Sequence, residues 1–329
     1  MKRRELIVVL AAAAGSWPIV APTQQAERVR RVGVLMLYTE NDPEGQARAL
    51  AFREGLEKRG WTIGRNLQIE LQWGVGDSEW IRSAIAQLLR LAPDVILANG
   101  PSALRAAQRA TSTVPIIFIA GADPVLEGFV QSLAHPGGNL TGFAVLEPSV
   151  GAKLLELLKE IAPSVTRVAV MVNPDSTSSI HFADSAAATA SKFAVEVVTV
   201  SVRDSAQIET AMMQFDRESG RGIIIPPDPV TNTHRKLIVE LAARYRVPAI
   251  YALRAATVEG GLISYGVDIV DLFRHAAVYV DRVLRGEKPS DLPVQQPTKF
   301  ELVVNLKVAK ALGITIPQSL RLRADDIIQ

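Results

Sequence analysis

Short apolar runs alternate with longer amphipathic stretches over most of this chain. Val32-Gly33-Val34-Leu35-Met36-Leu37 is apolar throughout. That pattern belongs to a strand covered on both faces, not to one with a wet side. Over residues 44–59 the apolar positions Ala47, Leu50, Ala51 and Leu56 recur at helical spacing, and Gly60 stops the run. The rhythm then repeats. It predicts strands over 67–73, 94–97 and 114–119, a helix over 78–91 and a short helix over 127–133. A second series starts near Ser149. Helices over 151–161, 180–193, 206–218 and 233–245 alternate with strands over 168–172, 195–200, 222–225 and 247–251. A strand over 262–265 precedes a long helix over 270–284, closed by Gly286. Strands alternating with helices of 10–15 residues predict an α/β fold with parallel sheets, and right-handed crossovers place helices on both faces. Two series of similar size predict two doubly wound parallel-sheet lobes. The proline-rich stretch over 289–297 reads as a connection between them.

Polar and aromatic residues gather where the predicted strands end. Asn99-Gly100-Pro101-Ser102 follows Val95-Ile96-Leu97 and runs straight into a helix-forming segment. The free N–H groups and positive dipole end of that helix suit an anion such as a carboxylate. Tyr38 and Thr39 end the first strand, Asp123 the strand at 114–119, and Asn173 the strand at 168–172. Asp228, Tyr251, Tyr265 and Asp268 occupy corresponding positions further on. An acid among these could hold an ammonium, and the tyrosines could wall a ring. Each has a plainer use: Asp123, Asp228 and Asn173 precede prolines and suit Asx turns or helix caps, and Asp268 can cap the helix at 270–284.

Composition narrows the chemistry. At 329 residues, 48% hydrophobic and 21% charged, the chain is globular and long enough for two domains. It has no cysteine, and its four histidines stand singly with no ligand spacing, so neither a metal nor another cofactor is expected. There is no P-loop. Gly74-Val75-Gly76 lacks the third glycine of a dinucleotide loop, and Ser102 lacks the following glycine of a nucleophile elbow. No catalytic residue is assigned. Lys2-Arg3-Arg4 followed by a short apolar run from Leu6 to Ala14 reads as an export signal over 1–26, with twin arginines. Residues 1–23 hold three of the 36 basic side chains and one of the 34 acidic ones, so the remainder is balanced at 33 of each. The excess positive charge belongs to the signal and gives no reason to expect nucleic acid as a partner.

The chain also resembles a known family. Gly121-Ala122-Asp123-Pro124-Val125, His135-Pro136-Gly137-Gly138-Asn139-Leu140-Thr141-Gly142 and Pro226-Pro227-Asp228-Pro229 carry the likeness, with Gly260-Gly261-Leu262-Ile263-Ser264-Tyr265-Gly266 and Gln296-Pro297-Thr298-Lys299-Phe300. As a set they are similar to the tryptophan/tyrosine-type substrate-binding proteins of ABC transporters, which have the type I periplasmic binding protein fold. The resemblance implies two lobes, 27–146 plus 267–296 and 147–266 plus 297–329, joined by three hinge crossings near 143–148, 265–268 and 293–298. It implies capture of a small organic solute between the lobes, an inner-membrane ABC permease as partner, a periplasmic location and a monomer. It places ligand contacts at Tyr38, Thr39, Gly100, Ser102, Asp123, Asn173, Asp228, Tyr265 and Asp268; the strand-end pattern adds Asn99 and Tyr251 as contacts, and Asp268→Ala is expected to weaken binding without unfolding the chain. A ligand-sensing module for a chemoreceptor or kinase would share this fold, as would, less readily, an enzyme.

Overall fold

The computed structural model describes residues 28–74, 78–120, 123–145, 149–216 and 220–329. The signal expected over 1–26 lies outside these residues. So do 75–77 of the glycine loop, Gly121 and Ala122, 146–148 of the first expected crossing and the end of the helix expected over 206–218.

The first series folds as β1 (Arg30–Met36), α1 (Pro43–Glu57), β2 (Leu67–Trp73), α2 (Ser78–Arg90), β3 (Val95–Asn99), α3 (Pro101–Ala110), β4 (Ile116–Ile119) and β5 (Leu140–Phe143). Its strands form one parallel sheet in the order β2-β1-β3-β4-β5. Alternation along the strands fills both faces. Val32, Val34, Leu97 and Ile117 pack against Phe52 and Leu56 of α1 on one side, while Leu35, Ile96 and Phe118 pack against Ile85 and Leu88 of α2 on the other. Continuous apolar strands are the result.

The second series comprises α4 (Val150–Ile161), β6 (Arg167–Val172), α5 (Thr177–Thr189), β7 (Glu196–Ser201), α6 (Ser205–Asp216), β8 (Arg221–Ile225), α7 (Pro229–Thr233), α8 (Arg235–Arg244), β9 (Ala249–Tyr251), α9 (Arg254–Val258) and β10 (Ile263–Val267). After it come α10 (Ile269–Leu284), β11 (Phe300–Asn305), α11 (Leu306–Leu312), α12 (Gln318–Arg323) and β12 (Asp326–Ile328). The second sheet runs β12-β11-β10-β9-β8-β6-β7. Here the expectation of purely parallel sheets needs correcting, because β10 and β11 pair antiparallel. The chain leaves β10 for the other lobe, builds α10 there, and returns from the opposite direction.

That excursion sets the hinge. α10 belongs to the first lobe: its Leu272, Phe273, Val280 and Leu284 join the core that α1 covers, each burial contributing roughly 1.5–3 kcal/mol. The returning segment lies beside the outgoing ones. The Ala144 N–H donates to the Gln295 carbonyl at 2.9 Å, and the Asp268 N–H to the Lys299 carbonyl at 3.2 Å. Two local expectations also change. Residues 127–133 form turns, not a helix: the Asp123 carboxylate accepts from the N–H groups of Val125 and Leu126 and starts a single turn, which Gly128 ends at φ 73°. The helix expected over 233–245 runs Arg235–Arg244, and a separate short helix, Pro229–Thr233, precedes it.

A candidate solute site between the lobes

In both sheets the strand order reverses beside the first strand of the series, between β1 and β3 and again between β6 and β8. Ligands bind at such reversals, outside the carboxyl ends of the strands. A cavity of about 160 Å³ lies there. The first lobe lines it with Tyr38 after β1, with Asn99 and the start of α3, and with Ile119 and Ala120 after β4. The second lobe lines it with Ser176 and Ser178 at the start of α5 and with the Pro227-Asp228-Pro229 turn and Asn232.

Each wall has a local cause. Gly100 is the N-cap of α3 at φ 99°, and a Cβ there would meet Leu37 Cδ1 at 2.9 Å. Glycine therefore lets β3 turn sharply into the helix and brings no side chain over its first-turn N–H groups. Asp228 is buried. One carboxylate oxygen caps α7 by accepting from the Val230 N–H at 2.8 Å, and the other accepts from the Ser179 hydroxyl at 2.7 Å. Burial pushes its carboxyl above the ordinary carboxylate range, against these hydrogen bonds.

Tyr38 is also buried, and burial raises its hydroxyl above the ordinary phenol range. The Arg48 guanidinium sits 4.8 Å from its ring centroid, a cation–π contact. Arg48 reaches Glu44, one turn earlier on α1, at 2.9 Å. Burial opposes the Arg48 charge, and the Tyr38 oxygen and Glu44 outweigh it. The Asn232 side-chain amide donates to the Tyr38 hydroxyl at 3.2 Å across the cleft, while its own Oδ1 is buried with no hydrogen-bond partner. A donor on a bound molecule would satisfy that oxygen.

Of the residues singled out in the sequence, Tyr38, Asn99, Gly100, Ser102 and Asp228 line this cavity together. Thr39 is exposed and lines an adjoining recess with Asp42, Asn232 and Arg235. The other five expected contacts lie outside the cavity lining. Asp123 holds the turn described above. Asn173 accepts from the Asp175 N–H at 3.0 Å, while Ser176 caps α5. Tyr265 stacks on Phe300 at 5.7 Å between centroids, beside the start of α4. Asp268 caps α10 through the Asp271 N–H and pairs with Lys299 at 2.7 Å, so its place is the hinge. Tyr251 is packed in the core of the second lobe, and burial drives its hydroxyl pKa strongly upward. The sequence reading missed Arg48, Ser176, Ser178 and Asn232. Arg48 left one signal: it falls within the stripe Gly45, Ala49, Phe52 and Leu56 that α1 buries, where a lone charge is out of place. Among the described residues no group of side chains could hold a metal ion, and no helix is long and apolar enough to cross a membrane.

Two lobes of the type I fold, with a small site lined from both of them, define a bilobal solute-binding protein. The chain belongs to the ABC transporter substrate binding protein family, whose model matches residues 39–328. As a member it binds a small-molecule solute for an ABC transporter, which implies a permease partner and an extracytoplasmic place of work. It is 26% identical over 302 residues to a tyrosine-binding protein of Clostridioides difficile (strain R20291), covering 92% of this chain and 85% of the relative. It superposes with a TM-score of 0.83 on an ABC domain from Streptococcus pneumonia in complex with L-Trp, at 26% identity and with 91% of this chain and 99% of that one covered. The TM-score is 0.69 against the ligand-free, open structure of a substrate binding protein with adhesive properties from Clostridium difficile, at 27% identity with coverage of 92% and 100%. At nearly equal identity, the overall superposition is better on the L-Trp complex than on the open form.

Proposed function

We propose that this chain captures an amino acid with an aromatic side chain between its lobes and presents the closed complex to an ABC permease, with no chemistry done on the solute. The observation that carries the reading is the pairing of opposite recognition elements around one cavity. The first lobe offers the uncapped N-terminus of α3, suited to a carboxylate; the second offers the buried Asp228 carboxylate, suited to an ammonium. Tyr38, with Arg48 behind it, supplies an aromatic wall. A cavity of about 160 Å³ is close to the ~150 Å³ known to accommodate a benzene ring. The L-Trp complex and the tyrosine-binding relative support the same class. Hinge closure at the three crossings is the mechanism: contacts from both lobes favour the closed form, and the permease recognises that form. We further propose secretion through the N-terminal signal, periplasmic residence and a monomeric state.

Isothermal titration against L-tyrosine, L-tryptophan and L-phenylalanine tests the reading, alongside the matching arylpropionates and arylethylamines. The whole amino acid should bind more tightly than either analogue that lacks one charged group. Equal binding of the amine-free acids, or no binding of any amino acid, would overturn it. Ligand at about 100 times its Kd should stabilise the fold by about 2.7 kcal/mol, visible as a raised Tm.

A further inference from the structure

Arg235, at the start of α8 in the second lobe, is buried but lies outside the cavity lining. Its guanidinium makes a two-pronged pair with Glu259, which follows α9 on the same lobe, at 2.9 and 2.8 Å. From that anchored position Nη2 also reaches across the cleft to Asp42 Oδ2 at 2.7 Å. Asp42 belongs to the first lobe, where its other oxygen caps α1 by accepting from the Glu44 and Gly45 N–H groups at 2.9 and 3.2 Å. Both ends of the bridge are therefore held by their own lobes. The side chains involved are 8% and 14% exposed, so salt screens the pair weakly. Arg235 Nη1 also donates to the carbonyl of Asn232, the residue whose amide meets Tyr38.

We propose that Arg235 is a positioning residue for solute capture: its bridge to Asp42 is a latch that favours lobe closure whatever the cavity contains. The proposal rests on the reading that the lobes close on a solute. No solute atom enters the bridge, so its contribution is common to every ligand. When the lobes part, Arg235 keeps Glu259 and Asp42 keeps its cap, so neither charge is left buried and alone. Opening gives up this one charge-assisted bond together with the Asn232–Tyr38 and Ser178–Glu127 hydrogen bonds across the cleft, which keeps the latch reversible. Because apparent affinity scales with the population of the binding-competent form, the latch sets affinity without touching the ligand. Arg235 also holds the backbone of Asn232, a residue of the cavity lining.

Asp42→Asn tests this with least disturbance, because asparagine caps a helix as well as aspartate does. Its amide would then turn N–H groups toward Arg235 and cancel the bridge. The Kd should rise by about tenfold, the usual order for one charge-assisted bond, and by the same factor for each aromatic amino acid. The dissociation rate measured by stopped-flow tryptophan fluorescence should rise in parallel. Small-angle scattering of the protein without ligand should give a larger radius of gyration than wild type. Arg235→Lys, which loses the two-pronged pair with Glu259 that aims the cation at Asp42, should act in the same direction. Asp326→Asn, at an exposed pair within the second lobe, should change none of these. An unchanged radius of gyration in a variant with native circular dichroism would overturn the latch. So would loss of affinity for one ligand alone, which would make Asp42 a contact residue. If no amino acid bound even the wild type, the amino-acid reading would fail, and the scattering comparison would still decide the latch.

Discussion

Asp228→Asn isolates the charge at the centre of the proposed site. The carboxylate is buried, caps α7 through Val230 and accepts from Ser179. Asparagine keeps an acceptor for the Val230 N–H, and its amide can donate to the Ser179 oxygen once that hydroxyl rotates. The substitution also removes a carboxylate whose burial disfavours its charge. Fold stability at neutral pH should therefore change little. An ammonium on the solute, by contrast, would lose a charge-assisted bond worth about 1.5–3 kcal/mol, roughly a 10- to 150-fold rise in Kd. Calorimetry with L-tyrosine and with 3-(4-hydroxyphenyl)propionate separates the two effects. The amino acid should lose that factor, while the amine-free acid should bind wild type and variant alike. The pH dependence carries the same sign. Because the Asp228 pKa is raised, the ionised form costs the ligand-free fold stability at neutral pH. That cost is relieved as pH falls through the raised value, where ammonium binding should weaken in step. Equal losses for both compounds, or no loss for either, would refute the reasoning.

Three further outcomes follow from neighbouring geometry. Asp268→Ala should lower stability by about 1 kcal/mol at neutral pH through loss of the α10 cap, measured by urea unfolding. Burial pushes the Asp268 carboxyl up, but Lys299 and the Asp271 N–H pull it below the ordinary range; its contribution is thus present above that range and lost as pH falls through the lowered value, and the gap to the variant should close in strong acid. Arg48→Met should cost roughly 3 kcal/mol in the same measurement, because it leaves Glu44 without its partner inside the fold, and adding Glu44→Gln should recover most of the loss. Asp123→Ala should leave solute affinity unchanged by calorimetry, since its carboxylate is spent on the Val125 and Leu126 N–H groups.

Much of the architecture was legible because both sheets are buried on both faces. Runs such as Val95-Ile96-Leu97 and Ile223-Ile224-Ile225 cannot alternate when helices cover each side, so they stand out from the amphipathic helices between them. The antiparallel return of β11 was not legible. Nothing local in Phe300–Asn305 says which strand it meets; the excursion through α10 decides that. The site was half legible for a related reason. Strand ends locate the cleft, and Tyr38, Asn99 and Asp228 sit there. But a short polar residue before a proline looks the same whether it faces a solute or ties down backbone, and Asp123 and Asn173 do the latter. Tyr265 owes its place to one property of strands. Side chains alternate across a sheet, and the face it takes puts its ring against Phe300, on a diagonal of the β10–β11 pair.

The placement of α10 has a consequence for the order in which the chain can fold as it is made. The first lobe's strands end at Phe143, yet Phe273, Val280 and Leu284 fill its core. The second lobe in turn needs β11 and β12, which end at Ile328. Neither lobe is a finished piece of sequence. A nascent chain cut off after β10 holds two incomplete cores, and contacts this distant in sequence are slow to form. The first half therefore stays unfinished until α10 has been made and the second until β12, and a truncation before Ile269 should damage the end of the molecule made first as well as the end made last.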